Sequence, residues 1–322
     1  MSTQKRRLAM AQWDVFSSKA LEGNSLAVFF DGRGLSDAEM QAIAKEMNLS
    51  ETTFILPRDA ATERERGVRV RIFTVQEELP FAGHPTLGTA FALRGEISAR
   101  SPLLAKDARN GAPKEPTEIV LELNVGKVPV RFEEEQSEPV FGEMTQVDPM
   151  FGIQHEREAV ARATGLGIDD FDASLPIETV STGLPYTVTP LKSLAVIQNL
   201  RLDLSRANEY LAKTGGKFFY FVARETVDST ARLHARMLFY NGEDPATGSA
   251  AGCAAAWMAA HGVAKSDERV LIEQGLEMQR PSRIFVRATR QNNRANDVHD
   301  NRIVNVRVGG NAIEVMRGEV FL

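Results

Sequence analysis

The sequence predicts an α+β protein of two similar lobes, and two observations carry that expectation. The first is an internal repeat at an offset of 165 positions in a chain of 322. One copy contains Arg71, Ile72, Phe73, Glu78, Pro80, Gly83 and His84; the other contains Arg236, Met237, Leu238, Glu243, Pro245, Gly248 and Ser249. Each reads as an apolar strand, a turn with Glu and Pro, a glycine and then a small-residue helix. A repeat spaced by half the chain implies two like lobes, and two facing helix N-termini can hold a small anion between them. The second observation is that helices 85–94 and 249–261 are apolar on nearly every face, which predicts burial within strands of their own lobes. The expected lobes are 1–130 and 131–322, with a terminal strand free to cross between them.

Residues 8–16 and 26–31 read as strands joined through Gly23-Asn24. Ser36 with Glu39 forms a capping box, and Ile43, Ala44 and Met47 continue an apolar stripe, so a helix is expected over 37–47. Thr52 to Leu56 is a β-branched and aromatic run stopped by Pro57, and Val68 to Thr74 alternates with period two; both read as strands. Pro85 suits the first turn of the next helix. Strands are expected at 118–123 and 127–133, followed by the acidic run Glu133, Glu134, Glu135, read as a solvated linker. In the second lobe the pattern gives a helix near 155–164, a strand ending at Thr179 to Ser181, and the loop Thr182-Gly183-Leu184-Pro185. That loop precedes Tyr186 to Thr189 much as Gly23-Asn24 precedes 26–30, at an offset of 160, so the repeat is longer than its best motif. A helix near 205–213 and strands at 217–223, 232–240, 268–273, 283–288, 303–308 and 312–317 complete the chain. Helix 249–261 ends with His261 in its last turn and Gly262 at the stop. Stretches 58–67, 96–117 and 290–301 read as surface excursions, the last a long exposed hairpin.

Hydrophobic content of 43%, charged content of 25% and a net charge of −5 describe an ordinary globular protein with no broad electrostatic reason to bind nucleic acid or an anionic membrane. After Lys5, Arg6 and Arg7, the apolar run Leu8 to Ala11 is too short for a signal-peptide core, and no run approaches the ~18 apolar residues of a membrane span. The single cysteine, Cys253, excludes an intrachain disulfide framework. The expectation is a cytoplasmic enzyme or binding protein.

Three side chains could do chemistry. His84 stands after Gly83 at a helix start, where backbone N–H groups without intrahelical partners can hold a carboxylate or oxyanion and the imidazole can donate to the bound group. Glu243-Asp244-Pro245-Ala246-Thr247-Gly248-Ser249 places two carboxylates, two hydroxyls and free amides in seven residues, more than helix capping needs. Glu51 lies at a helix-to-strand transition; a solvated carboxylate is the plain reading, but in an enclosed inter-lobe cleft desolvation would raise its pKa and suit it to acid/base work. The two glycine-containing helix starts, 83–85 and 248–250, favour a small carboxylate ligand.

Gly23-Asn24, Glu46 to Thr52, Glu78 to Gly88, Ser181 to Pro185, Glu243 to Ala250, and Gln274 to Met278 with Arg280-Pro281-Ser282 together resemble the phenazine-biosynthesis PhzF-like isomerase family. The resemblance implies a diaminopimelate-epimerase-like fold: two pseudo-symmetric lobes, each a curved, mostly antiparallel sheet or barrel around a central helix, with the active site between them. It implies catalysis without metal or organic cofactor, and a homodimer. The residue matching Glu51 is the acid/base that takes a proton from carbon and returns one elsewhere. Those matching His84 and Asp244 assist, and the expected substrate-binding set is Asn24, Gly83, Gly183, Gly248 and Ser249. The phenazine enzyme moves a hydrogen and a double bond of a dihydro-hydroxyanthranilate. The three excursions depart from the compact family pattern and leave the substrate open.

A two-thiol racemase on this fold needs a second cysteine, and Cys253, inside an apolar helix at the position equivalent to Gly88, reads as core. A serine hydrolase built on Ser249, His84 and Asp244 would lack the Gly-x-Ser-x-Gly elbow. There is no dinucleotide fingerprint, phosphate loop or closely spaced His/Cys cluster. The remaining rival is a non-catalytic small-ligand binding or interaction protein that uses the same cleft.

Overall fold

The computed structural model describes residues 6–100, 116–134, 138–239, 242–292 and 301–322. The chain divides into two compact units, Met1–Met144 with Gly310–Leu322, and Thr145–Gly309.

In the first unit, β1 (Arg7–Val15) pairs antiparallel with β2 (Asn24–Phe29). Helix α1 (Asp37–Met47) has the bounds its capping box predicts: Ser36 Oγ accepts from Glu39 N, and Met40, Ile43 and Ala44 form its buried stripe. Strand β3 (Glu51–Leu56) lies parallel to β2, with Leu26 opposite Glu51. The stretch expected as an excursion over 58–67 is instead a helix, α2 (Ala60–Arg66). Asp59 caps it by accepting from Ala61 N and Thr62 N; none of its residues is buried, so no apolar stripe announced it. Strands β4 (Val68–Phe73) and β5 (Glu78–Leu79) form the first copy of the repeat.

Helix α3 (Gly83–Arg100) runs beyond the expected stop at 94, so the excursion expected from 96 begins as helix; its residues 101–115 lie outside the described residues. Positions 81–92 are all buried. The helix packs against β1, β2, β3, β6 (Glu118–Leu123) and β7 (Gly126–Glu133), as its all-round apolar composition requires. The chain stays in this unit past residue 130 because β8 (Phe141–Thr145) pairs antiparallel with β7 up to Glu133, the first residue of the stretch read as a linker. Glu135 lies outside the described residues.

The second unit opens with β9 (Met150–His155), α4 (Arg157–Thr164), β10 (Ile177–Ser181) and β11 (Pro185–Leu191), then two outer helices, α5 (Leu194–Gln198) and α6 (Leu204–Thr214). Strands β12 (Phe218–Ala223), β13 (Ala231–Phe239) and β14 (Gly242–Asp244) lead to α7 (Gly248–Ala260), which is buried from Gly248 to Ala259. Alanine, glycine and cysteine fill much of α7, so strands can approach it closely; β10, β11 and β16 (Ser282–Asn292) do so. Between them in sequence is β15 (Val270–Gln274), and β17 (Asn301–Gly310) closes the unit. Of the hairpin expected at 290–301, residues 293–300 lie outside the described residues. Finally β18 (Ala312–Phe321) pairs antiparallel with β1 in the first unit, from Arg7 opposite Phe321 to Val15 opposite Ala312.

Strand pairing in the two units follows one scheme. β2 and β3 are parallel, as are β11 and β12; β4 and β6 are parallel, as are β13 and β15. The other named neighbours are antiparallel, including β3 with β4 and β12 with β13, or β6 with β7 and β15 with β16. Each unit is thus a mostly antiparallel sheet with a buried helix of its own, an α+β architecture. The strand that pairs with β1 is the last of the chain, whereas its counterpart beside β10 is β9, which precedes it. Among the described residues no helix is long and apolar enough to cross a membrane.

Candidate functional site

The repeat is visible first as a pair of identical struts. Opposite β4, Ile72 faces Leu79 and Phe73 faces Glu78; opposite β13, Met237 faces Asp244 and Leu238 faces Glu243. Arg71 grips Glu78 through Nε (2.9 Å) and Nη2 (2.5 Å), and Arg236 grips Glu243 through the same atoms (2.8 and 2.7 Å). Two parallel N–H bonds to one carboxylate fix both position and orientation. Each strut steadies the turn that delivers the next helix N-terminus.

In the first unit the turn delivers Gly83 and His84 to the start of α3. Asn24 and Glu51 are the first residues of the parallel strands β2 and β3, and both come to that helix start. Asn48, in the left-handed conformation at the end of α1, makes the turn into β3. His84 is 2% exposed; its Nδ1 lies 3.1 Å from Asn24 Nδ2 and 3.5 Å from Glu51 Oε2. Burial pushes the imidazole pKa down to about 3, against a smaller upward pull from a hydrogen bond to the Ser25 backbone. The ring is therefore neutral near pH 7. Nδ1 is the nitrogen turned toward Asn24, while Nε2 is a buried atom with no hydrogen-bond partner among the described residues. Glu51, 7% exposed, supplies a carboxylate in the same buried surroundings.

In the second unit the turn carries Asp244, the last residue of β14 and 2% exposed. Thr247 Oγ1 donates to Asp244 Oδ2 (2.6 Å). Gln274, at the end of β15, holds the loop from behind: its Nε2 donates to the Asp244 carbonyl (2.8 Å) and to Thr247 Oγ1 (2.9 Å), while its Oε1 accepts from Thr247 N (3.2 Å) and Tyr220 OH (3.1 Å). Tyr220 is fully buried, and burial foremost, then the nearby Asp244 and Cys253, push its pKa well up, so it remains a donor.

At the start of α7, the Ser249 hydroxyl lies 2.8 Å from Tyr186 OH, not on an imidazole, so no serine-hydrolase dyad is formed within this unit. Gln146 donates to the Gly248 carbonyl (3.0 Å) and accepts from Thr182 Oγ1 (2.6 Å), which links the Thr182-Gly183 loop to the helix start. A Cβ on Gly252 would fall 1.9 Å from Gln146 Oε1, so this approach requires glycine. Cys253 is buried, and its thiol is pushed up to about 11, mainly by desolvation, which makes it a core side chain and a poor nucleophile.

The structure therefore brings Asn24, Glu51, Gly83 and His84 together in the first unit, and Gly183, Asp244, Gly248 and Ser249 in the second. Sequence reasoning did not single out Tyr186, Gln274 or Gln146. Gln274 stands inside a recognisable block, and Tyr186 directly follows another, so block membership was the available signal for both; Gln146 carried none.

Comparison with known proteins identifies the family. A family model described as phenazine biosynthesis-like protein matches residues 13–318. An uncharacterised isomerase of Mesorhizobium japonicum is 37% identical, covering 96% of this chain and 97% of its own. The trans-2,3-dihydro-3-hydroxyanthranilate isomerase of Pseudomonas chlororaphis is 33% identical over 96% of this chain and 98% of its own. Among solved structures, the PhzF-family phenazine biosynthesis protein of Bacillus anthracis superposes with a TM-score of 0.80 at 26% identity, covering 98% of this chain and 100% of the other. The chain belongs to the phenazine-biosynthesis PhzF-like family of isomerases.

Proposed function

We propose that this protein isomerises a small carboxylate-bearing metabolite, of the cyclic dihydro-hydroxyanthranilate type, by moving a proton between carbons without a cofactor. The observation that carries the reading is the buried Glu51 carboxylate beside an imidazole held neutral in the same helix-start cluster. Glu51 takes a proton from a C–H bond activated by conjugation. The electron pair of that bond shifts into the conjugated system, the double bond moves, and the protonated Glu51 delivers a proton to the carbon at the far end. Atoms and charge balance without an oxidant, reductant or metal.

In the tautomer that carries its proton on Nε2, His84 supports the step by donating from that nitrogen to the oxygen on which negative charge develops, and a neutral donor does this without competing for Glu51 as an ion-pair partner. The amides at the start of α3 favour the same anion. Asp244 accepts hydrogen bonds from substrate polar groups and orients them, and Ser249, Gly248, Gly183 and Asn24 complete the binding set. The assignment of residues from both units to one reaction rests on the family resemblance. The name of the Pseudomonas chlororaphis relative supports the substrate class.

The test is incubation in heavy water with trans-2,3-dihydro-3-hydroxyanthranilate and a panel of cyclic hydroxy- and amino-acids. Deuterium appearing at carbon in any of them supports isomerase chemistry. Saturable binding of those acids with no exchange at carbon would instead favour the non-catalytic binding protein.

A further inference from the structure

His234, on β13, is completely buried and takes no part in the groups described above. Its Nδ1 lies 2.8 Å from Glu273 Oε1 and its Nε2 3.0 Å from Glu277 Oε1. Glu273 stands opposite His234 on the parallel strand β15, and its carboxylate also accepts the backbone N–H groups of Val227 (2.6 Å) and Asp228 (2.7 Å). Since those oxygens accept, both ring nitrogens donate, and an imidazole that donates from both nitrogens is an imidazolium.

Glu277 belongs to a tight turn, Leu276–Met278, flanked by left-handed Gly275 (φ 81°) and Gln279 (φ 57°). That turn leans on the loop that carries Asp244: a Cβ on Gly275 would lie 2.5 Å from the Pro245 carbonyl oxygen. Immediately before it, Gln274 holds the Asp244 carbonyl and Thr247. The turn is thus tied to β13 through Glu277 and to the Asp244 loop through Gly275 and Gln274. Other charges around the ring are Arg236 on the same strand, 4.0 Å from Glu277; Glu243 on β14, gripped by Arg236; and Asp228, paired with Arg283 of β16. The partner of His234 on β12 is Ala223, which brings no charge.

We propose that His234 is a positioning residue for Asp244: its imidazolium clamps the 275–279 turn to β13, and loss of the ring proton releases that turn and loosens the Asp244 loop. The catalytic meaning of the release rests on the function proposed above, but the mechanical link does not. Burial pulls the ring pKa down, yet hydrogen bonds and charge from Glu277 and Glu273 outweigh it, and the net shift is upward. The folded pKa is raised, so the clamp is fully formed below the ordinary histidine value and is lost as pH rises through the folded value. At the matching place in the first unit, Arg69 stands opposite Glu122, and Glu122 is gripped by Arg58 and Arg66. Arginine does not titrate in this range, which confines the release to the second unit.

Amide hydrogen exchange over 242–248 and 275–279, corrected for intrinsic rates and followed from about pH 6 to about pH 9 while the His234 ring is titrated by NMR, tests this without any substrate. Protection in the wild type should fall by about tenfold per unit of pH above the ring's folded pKa, until the turn is open. His234→Gln should be poorly protected at every pH. Glu277→Gln, which keeps the histidine and the shape of the turn, should lose the pH dependence as well. Protection that stays flat while the ring titrates, a ring that titrates below about 6.5, or wild-type pH dependence in Glu277→Gln would each overturn the proposal.

Discussion

The two units use the same scaffold and place different chemistry on it. Their struts are interchangeable in description: Arg71 on Glu78, Arg236 on Glu243, at the same register of the same two strands. The positions those struts serve are not. Alignment through the struts sets Leu79 against Asp244 and His84 against Ser249; the parallel pairs, with Leu26 opposite Glu51 and Tyr186 opposite Phe218, set Glu51 against Phe218. The first unit thus holds a buried carboxylate and a neutral imidazole. The second holds a carboxylate locked by Thr247 and a hydroxyl held by a phenol. Under the proposed function the same placement serves two tasks, proton transfer by Glu51 in the first unit and orientation by Asp244 in the second.

The sharpest way to break this division is kinetic. Glu51→Gln should lower turnover by ~10²–10⁴-fold with little change in ligand binding, because the amide keeps the shape but cannot accept a proton. His84→Asn and Asp244→Asn should weaken binding and rate together, as groups that act in both ground and transition state do. Steady-state and single-turnover rates on one identified substrate check all three, and an Asp244→Asn loss as large as that of Glu51→Gln, with binding intact, would reverse the assignment.

The struts should differ in what they contribute to stability. Arg236 is nearly buried and its remaining arm donates to the carbonyls of Ile197 and Gln198 at the end of α5; Arg71 is more exposed, and its remaining arm reaches the exposed Asp37. Arg236→Ala leaves Glu243 and the carbonyls of Ile197, Gln198 and Leu200 without their donor and should cost about 3–5 kcal/mol. The cost of Arg71→Ala should be roughly 1–2 kcal/mol, since water can take over part of its role. Denaturant unfolding of the two variants measures the gap, and equal losses would mean that the struts are equivalent in energy as well as geometry.

Histidines of opposite character should give the units opposite pH limbs. His84 has its folded pKa pushed down to about 3, so the unfolded chain binds the proton more readily and stability falls as pH drops from the ordinary histidine value toward 3. His234 has its folded pKa raised, so its contribution fades as pH rises. Melting temperatures across pH should show His84→Asn flattening only the acid limb and His234→Gln only the alkaline one. The smallest effect expected is that of Tyr186→Phe, which removes one buried hydrogen bond to Ser249 and should cost about 1 kcal/mol, read as a modest loss of ligand affinity.

Local signals in the sequence were read well because their physics is local. The Ser36/Glu39 box, the stripe of α1 and the all-round apolar composition of α3 and α7 each have a period or a cap that a short window contains. The repeat itself located Arg71, Glu78, Arg236 and Glu243, and the quoted blocks contained Asn24, Glu51, His84, Asp244 and Ser249. Helix α2 was missed because it buries nothing and so has no stripe. The contacts of Gln146 with Gly248 and Thr182, of Tyr186 with Ser249, and of His234 with Glu273 and Glu277 were missed for another reason. Each joins residues far apart in sequence, and a polar residue in a strand looks the same locally whether it meets water or a buried partner.

Under the proposed function the carbon-bound proton moves through Glu51. This role is tested most directly by proton exchange in heavy water at a ligand concentration that saturates both wild type and Glu51→Gln, with occupancy confirmed by calorimetry. The wild type should incorporate deuterium at carbon rapidly, and the occupied variant almost none. Incorporation at near wild-type rate by occupied Glu51→Gln would contradict that role and move the base elsewhere.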